Sequence, residues 1–311
     1  MSSEHGRGVN PGKSRPRSRV SWAAVWKMLW ENWVWIFLFW VAGSDLWNHG
    51  PSKADFIIFG ICGAFLLILP AISFSRRLTI KRAIRGHYQQ ALRLNRWFLL
   101  LPLYGGSLEG WILLEAGRYT EAEAVTRLKA FDESGNPRLT SWQLYYHAMA
   151  LSHQGKWKSS QDLLERAIRV QDEIGHFHLG LADCLLEHNI DAERARELVE
   201  RVQSAWAASS TSRGKAEKKS QRIGRHAWAL ARCSRRADAK ERLQEAFAMS
   251  NGFESRDNAW LQYYAGETWR AVGEMEKARS AFQEALRAFP HGGVSLRSQK
   301  GLAELTSATI A

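Results

Sequence analysis

AWLQYYAGETWRAVGEMEKARSAFQEALRAFPH, residues 259–291, contains a short phrase that recurs along the chain. The phrase is a glycine, a polar residue, a bulky residue, two polar residues and then Ala or Ser. It stands as GHYQQA at Gly86, GRYTEA at Gly117, GKWKSS at Gly155 and GEMEKA at Gly273. The glycine can end one helix, and the small residue lets the next helix pack closely. The phrase therefore predicts repeated helix-turn-helix units.

At these residues the sequence resembles the tetratricopeptide repeat (TPR) family, whose unit is a helix pair of 34 residues. The best unit, 259–291, carries in the family's order Gly266, Trp269, Ala278, Phe282, Ala285 and Pro290. The resemblance implies an all-α solenoid over residues 79–291, with about five units and a possible initial half-repeat. Residues 292–311 would form a capping helix and tail, because the last apolar face of a solenoid needs a cover.

Positive charge is concentrated before the repeats. The chain has a net charge of +12, and residues 1–96 carry fourteen Lys or Arg against four Asp or Glu. A nucleic-acid-binding solenoid is expected to place its basic excess on the repeats. Here the excess flanks two apolar segments instead, which indicates a membrane protein.

The two apolar segments predict a transmembrane hairpin within residues 22–78, after a basic polar tail at 1–21. Residues 56–74 contain nineteen residues without a charge, enough to cross a hydrocarbon core of about 30 Å. Residues 26–46 form the other predicted span, with tryptophans suited to the headgroup boundary. A cleaved signal peptide is the alternative for this segment. The long polar lead and the bulky rings favour a span.

Basic residues predict the orientation of the hairpin. They lie before the first span and after the second, and the connecting loop has a single lysine, Lys53. Both termini and the solenoid are therefore expected on the cytoplasmic side of a bacterial inner membrane. The residues expected to contact anionic headgroups are Arg15, Arg17, Arg19, Arg76, Arg77, Lys81, Arg82 and Arg85. In architecture, two spans followed by TPR units are similar to the bacterial HemY family.

The sequence contains no motif that predicts catalysis. Phosphate-binding loops, the GxSxG elbow and the HExxH zinc motif do not occur. His176 and His178 lack further ligands at metal-site spacing, and the three cysteines form no CxxC pair. We therefore expect no enzymatic activity, no cofactor and no metal.

Binding is the function that the repeats predict. In TPR solenoids the first helix of each pair lines the concave surface, so its rings and charges are the candidate contacts with a protein partner. These are Trp111, Trp142, Tyr145, His153, Trp228, Arg232, Trp260, Tyr263 and Arg270. The Lys and Asn residues of dicarboxylate-clamping TPR domains do not occur in SWQLYYHAMA or AWLQYYAGET. An apolar or extended partner is therefore favoured over a chaperone tail.

Two other functions remain open. A pocket with convergent polar groups would support a small-ligand-binding or enzyme-regulating protein. A nucleic-acid-binding solenoid would depend on a basic group, although no nucleic acid partner is expected. That group is Arg213, Lys215, Lys218, Lys219, Arg222 and Arg225.

Overall fold

The computed structural model describes residues 74–98, 105–130, 137–171, 175–208, 216–250 and 255–310. Within these ranges every regular element is an α-helix. No helix among them is both long and apolar enough to cross a membrane. The basic tail and the predicted spans at 26–46 and 56–74 lie outside the described residues, apart from Phe74, and so do Arg15, Arg17 and Arg19.

Thirteen helices are described. We number them α1 (residues 74–84), α2 (Tyr88–Phe98), α3 (Gly105–Glu115), α4 (Tyr119–Ala130), α5 (Pro137–His153), α6 (Trp157–Val170), α7 (His176–Glu187), α8 (Ala192–Ala208), α9 (Ala216–Arg232), α10 (Arg236–Ala248), α11 (Ser255–Val272), α12 (Met275–Ala288) and α13 (Gly292–Ile310).

From residue 74 onward the described helices form an all-α, TPR-like solenoid, and residues 76–311 make one compact unit. In each pair from α3/α4 to α11/α12 the two helices pack on each other. The first helix of a pair also packs on the first helix of the next, in the order α3, α5, α7, α9, α11 and α13. We call the surface formed by these six helices the inner surface.

The recurring glycines lie at the turns between paired helices. Gly86, Gly117, Gly155 and Gly273 have φ between +74° and +88°, a region that glycine occupies without strain. At Gly155 the next amide, of Lys156, donates to the Leu151 carbonyl at 3.0 Å, as in a Schellman helix end. The glycine of the sequence phrase is therefore required by the backbone.

Two turns adopt the same conformation without glycine. Asn189 ends the turn after α7 with φ 53°, and Ser234 follows α9 with φ 62°. The amide after each donates to a carbonyl five residues earlier, from Ile190 to Leu185 and from Arg235 to Leu230. The pairs α7/α8 and α9/α10 therefore lack the glycine of the sequence phrase, but their turns have the same hydrogen bonds as the glycine turns.

Small residues allow close helix packing in the core. A Cβ atom at Gly266 of α11 would lie 2.5 Å from the ring of Phe282 on α12, and one at Gly301 of α13 would lie 2.6 Å from it. Phe282 is fully buried. The last helix pair and α13 therefore meet around one phenyl ring.

Helix α13 covers the last pair and also packs on α3, near the other end of the described solenoid. A side chain at Gly292 would collide with the Glu115 carbonyl and the Tyr88 hydroxyl. The guanidinium of Arg256 on α11 pairs with the Glu115 carboxylate at 2.6 Å. The two ends of the described solenoid are thus in contact.

Candidate functional site

A cavity of about 360 Å³ lies on the inner surface. We call it the central cavity. All six helices of the inner surface contribute to its wall, because each presents residues of its inward face. Its lining residues are Trp111, Leu114, Glu115, Trp142, Tyr145, Tyr146, Met149, His153, His176, Asp183, Gln221, Arg225, Arg256, Trp260, Gly293 and Arg297.

Aromatic rings form much of the wall of the central cavity. The Trp142 ring meets Tyr145 edge to face, with ring centroids 5.7 Å apart, and lies 5.6 Å from Tyr146. On α11, Trp260 stacks on Tyr264 at 5.9 Å. Such mutual packing holds the rings in place, and charged side chains lie between them in the wall.

A smaller cavity of about 150 Å³ adjoins the central cavity, and the two share His153 and Arg297. We call it the polar cavity, because charged side chains surround it. Its wall includes Glu187 of α7, Glu267 and Arg270 of α11, and residues of α13. Arg297 therefore lies between the two cavities.

Arg297 is the central polar group of the inner surface. Its guanidinium pairs with the Glu187 carboxylate at 2.6 Å and donates to Nε2 of His153 at 2.7 Å. It also lies 5.1 Å from the centre of the Trp260 ring. The Arg297 side chain is only 10% exposed. A buried cation needs such partners, because burial removes its hydration.

Burial shifts the titration of both partners of Arg297. It raises the pKa of Glu187 to about 7, because the attraction of Arg297 offsets only part of the lost hydration. Burial and the positive charge of Arg297 hold the pKa of His153 well below its usual value of 6.5. His153 is therefore neutral, and its Nε2 can accept the hydrogen bond from Arg297.

Further ion pairs connect the helices of the inner surface. Arg225 of α9 donates to Asp183 of α7 at 2.9 Å, and its guanidinium lies 4.8 Å from the centre of the Tyr264 ring. Arg270 pairs with Glu267 at 2.5 Å and also with Glu304 of α13. Each charged group therefore has an opposite charge beside it, and the two cavities are close to electrically balanced.

The structure places the nine predicted contact residues in three groups. Five line the central cavity, namely Trp111, Trp142, Tyr145, His153 and Trp260. His153 also borders the polar cavity, together with Trp228, Tyr263 and Arg270. Arg232 lines neither cavity and donates weakly to the Leu186 carbonyl at 3.4 Å. Trp228 and Tyr263 are 1% and 3% exposed, so both rings belong mainly to the core.

Sequence reasoning missed the charged centre of this site, which comprises Asp183, Glu187, Arg225 and Arg297. Asp183 and Glu187 are one helical turn apart in HFHLGLADCLLE, an otherwise apolar helix. Carboxylates are rarely buried without a partner, so their position predicts buried cations elsewhere. That signal is present in the sequence. It does not identify Arg225 or Arg297 as the partners.

The six basic residues considered for nucleic acid do not act as one group. Arg213 and Lys215 lie outside the described residues, and Lys218 and Lys219 are exposed. Arg225 turns inward to Asp183, whereas Arg222 lies over the Trp206 ring at 4.0 Å. On α1, Arg76, Arg77 and Lys81 are exposed and Arg82 is partly buried, and Arg85 is exposed in the turn that follows.

The described residues were also compared with the side-chain clusters that bind metal ions in proteins. No group of three or more His, Cys, Asp or Glu side chains among them could hold a metal ion.

Comparison with known proteins identifies the repeats. Residues 145–210 and 225–292 match the family model of the tetratricopeptide repeat, so the chain contains TPR units. A solved tetratricopeptide repeat protein from Parabacteroides merdae shares the fold, with a TM-score of 0.51 and 14% identity over 88% of this chain and 98% of that one. Among curated proteins no sequence matches.

Two other solved structures are similar at lower scores. Bacillus thuringiensis PlcR, in complex with the peptide PapR7 and DNA, has a TM-score of 0.48 and 18% identity over 64% of this chain and 72% of that chain. YrrB, described as a TPR protein with an unusual peptide-binding site, has a TM-score of 0.37 and 17% identity over 62% of this chain and 89% of that chain.

Proposed function

We propose that this chain is a membrane-anchored TPR scaffold that binds a protein partner in the central cavity. The observation that carries the proposal is the meeting of Trp111, Trp142, Tyr145, His153 and Trp260, from three helices, around one space. Rigid aromatic side chains in a desolvated recess are typical anchors of protein interfaces. TPR units themselves indicate a scaffold for protein–protein interaction.

The size of the central cavity defines what the partner presents. About 360 Å³ accommodates a few side chains, and α13 already packs on the inner surface beside it. A long helix does not fit beside α13. We therefore expect the partner to insert a short extended segment or a chain end with apolar side chains. Because the charges around the cavity are already paired, a strongly charged segment would gain little there.

We further propose that the solenoid lies on the cytoplasmic side of a bacterial inner membrane, with both termini on that side. The uncharged stretch 56–74 and the basic residues on either side of the predicted hairpin support this arrangement. The exposed residues Arg76, Arg77 and Lys81 of α1, with Arg85 in the turn after it, would contact anionic headgroups. Side-specific reporter fusions after Ser52 and after Ala311 test it: a cytoplasmic Ser52 or an external Ala311 would contradict the topology.

Photocrosslinking in membranes tests the partner site. A photoreactive amino acid replaces Trp111 or Trp142 in the full-length chain, and Trp157 serves as the control because it is 40% exposed on α6, away from both cavities. We expect the same discrete protein adduct from positions 111 and 142. The adduct should be missing at position 157 and should weaken when Trp260→Ala is added. Equal labelling at all three positions would contradict the proposal.

A small ligand is the second candidate for the central cavity. The observation that favours it is the presence of Glu115, Asp183, Arg225 and Arg256 in the wall of a cavity of small-ligand size. Native mass spectrometry of the purified full-length chain separates the two functions. A stoichiometric added mass of a metabolite, lost in Arg225→Gln, would favour the ligand. A protein adduct without such a mass would favour the scaffold.

A further inference from the structure

A third cavity lies away from the inner surface, between α8, α9 and α10, and has a volume of about 380 Å³. We call it the outer cavity. It shares no lining residue with the central cavity or the polar cavity. Its polar and aromatic lining residues are Gln203, Trp206, Lys219, Arg222, Arg242 and Glu245.

Arg222 is the buried cation of the outer cavity. The residue is only 9% exposed, and the central carbon of its guanidinium lies over the Trp206 ring, 4.0 Å from the ring centre. In the described part of the chain it makes no ion pair or hydrogen bond. Its N–H groups therefore have no acceptor among the residues that the structure describes.

Three other largely buried arginines among the described residues have carboxylate partners. Arg225 pairs with Asp183, Arg256 with Glu115, and Arg297 with Glu187, at distances of 2.6 to 2.9 Å. Burial, and then the positive charge of Arg225, lower the pKa of Arg222. The protein thus holds a cation where its charge is penalised, and an arginine cannot release its proton to escape the penalty.

The charges around the outer cavity leave a positive excess. Arg242 and Glu245 pair with each other at 2.7 Å and cancel. Lys219 and Arg222 remain, the first exposed at the edge and the second buried at the ring. An arginine stacked on an aromatic face keeps the edge of its guanidinium available for two parallel hydrogen bonds. Planar or tetrahedral oxyanions match that edge.

We propose that the outer cavity binds an oxyanion, the phosphate or carboxylate group of a ligand, with Arg222 as its principal donor and Lys219 as a second charge. Trp206 holds the guanidinium in orientation, and Gln203 supplies a further polar side chain at the wall. The volume suits one such group with a small attached body, rather than a long polymer. This site is independent of the partner site in the central cavity.

Calorimetric titration of the full-length protein in a non-ionic detergent tests the proposal. The two probes are pyrophosphate and citrate, which carry similar charge and differ in chemistry, and potassium chloride holds the ionic strength constant. We expect saturable binding of at least one probe. Tighter binding of pyrophosphate would assign the site to phosphate groups, and tighter binding of citrate would assign it to carboxylates.

Three variants locate the binding. Arg222→Gln removes the donor and should weaken binding at least about tenfold, the effect expected for a charge-assisted hydrogen bond. Lys219→Gln alters an exposed side chain without disturbing packing, and it should weaken binding less. Arg201→Gln is the matched control, because Arg201 is an exposed arginine of α8 that does not line the outer cavity. It should bind as the unaltered protein does.

Several results would overturn the proposal. The first is the absence of saturable binding of either probe. The second is equal binding by the unaltered protein, Arg222→Gln and Lys219→Gln. The third is a loss of binding in Arg201→Gln as large as in Arg222→Gln, which would indicate diffuse electrostatic attraction. Salt-dependent binding of a single-stranded oligonucleotide that Arg222→Gln leaves unchanged, without binding of either probe, would indicate a nucleic-acid surface formed by other basic residues instead. Circular dichroism verifies that each variant is folded. If Arg222→Gln does not fold, Lys219→Gln still tests the proposal.

Discussion

Helix α12 and helix α13 are held to α11 in different ways. Between α11 and α12 the contact is apolar and local, with the Phe282 ring seated against Gly266. Helix α13 also meets that ring, but it adds buried polar contacts that join distant parts of the chain, as in the pairing of Arg297 with Glu187 and His153. Apolar packing therefore builds the repeat, and buried charge positions the helix that contacts both ends of the described solenoid.

The two kinds of contact have different consequences when one partner is removed. Loss of a buried ring leaves a cavity, which neither pH nor salt can repair. Loss of a buried cation leaves a carboxylate that can take up a proton, so the cost depends on pH. Three changes in the full-length protein, measured by chemical unfolding, separate these effects.

The largest effect is expected for Phe282→Ala. The ring is fully buried between α11, α12 and α13, so its removal should lower the free energy of unfolding by about 4 kcal/mol. Unfolding in urea, followed by circular dichroism, measures the change. Met275→Ala on the same helix is the control, because that side chain is 45% exposed and should change stability little. A similar small change in both variants would show that this contact does not hold the last repeat.

A smaller effect is expected for Arg297→Met. Removal of the guanidinium leaves Glu187 buried without its cation, and breaking such a pair costs about 3 kcal/mol. The second change Glu187→Leu removes the stranded carboxylate, so the double variant should recover much of the lost stability. Arg287→Met, at an arginine whose side chain is 69% exposed, is the matched control and should have little effect. Additive losses in the double variant would mean that the two residues are not coupled.

The repeated helix pairs could be predicted from sequence because their determinants are local. The phrase around Gly117, Gly155 and Gly273 contains the residue that the turn requires, since each φ is positive. The turns at Asn189 and Ser234 could not be recognised in this way, because these two residues adopt the same conformation without being glycine. Local chemistry therefore predicts the fold class and most turns, but not every turn.

The interior of the site could be predicted only in part. Five of the nine candidate contacts line the central cavity, because inward positions on first helices follow from helical periodicity. The role of Arg297 did not follow, since SLRSQKGLAEL has the composition expected of a polar capping helix. Its partners Glu187 and His153 lie more than a hundred residues away. Periodicity indicates which way a side chain faces, but not which distant charge it meets.

The smallest effect, and the sharpest test of the polar contacts, is expected for His153→Gln. The folded protein holds the pKa of His153 well below 6.5, so acid protonates the unfolded chain first and stability is lost as pH falls below 6.5. A glutamine can accept the bond from Arg297 without titrating. Relative to the variant, the unaltered protein should therefore lose about 1.4 kcal/mol for each pH unit below that value.

Urea unfolding at about pH 7.5 and about pH 5.5 measures this difference. Glu187, whose pKa is raised to about 7, changes stability in the opposite direction: its contribution is lost as pH rises through 7. Both proteins contain Glu187, so most of its own contribution cancels in the comparison, although His153 Nδ1 lies 3.8 Å from its carboxylate. His87→Gln, at an exposed histidine, should follow the unaltered protein. Parallel pH profiles for His153→Gln and the unaltered protein would mean that His153 is protonated in the folded state, and its Nε2 could not then accept from Arg297.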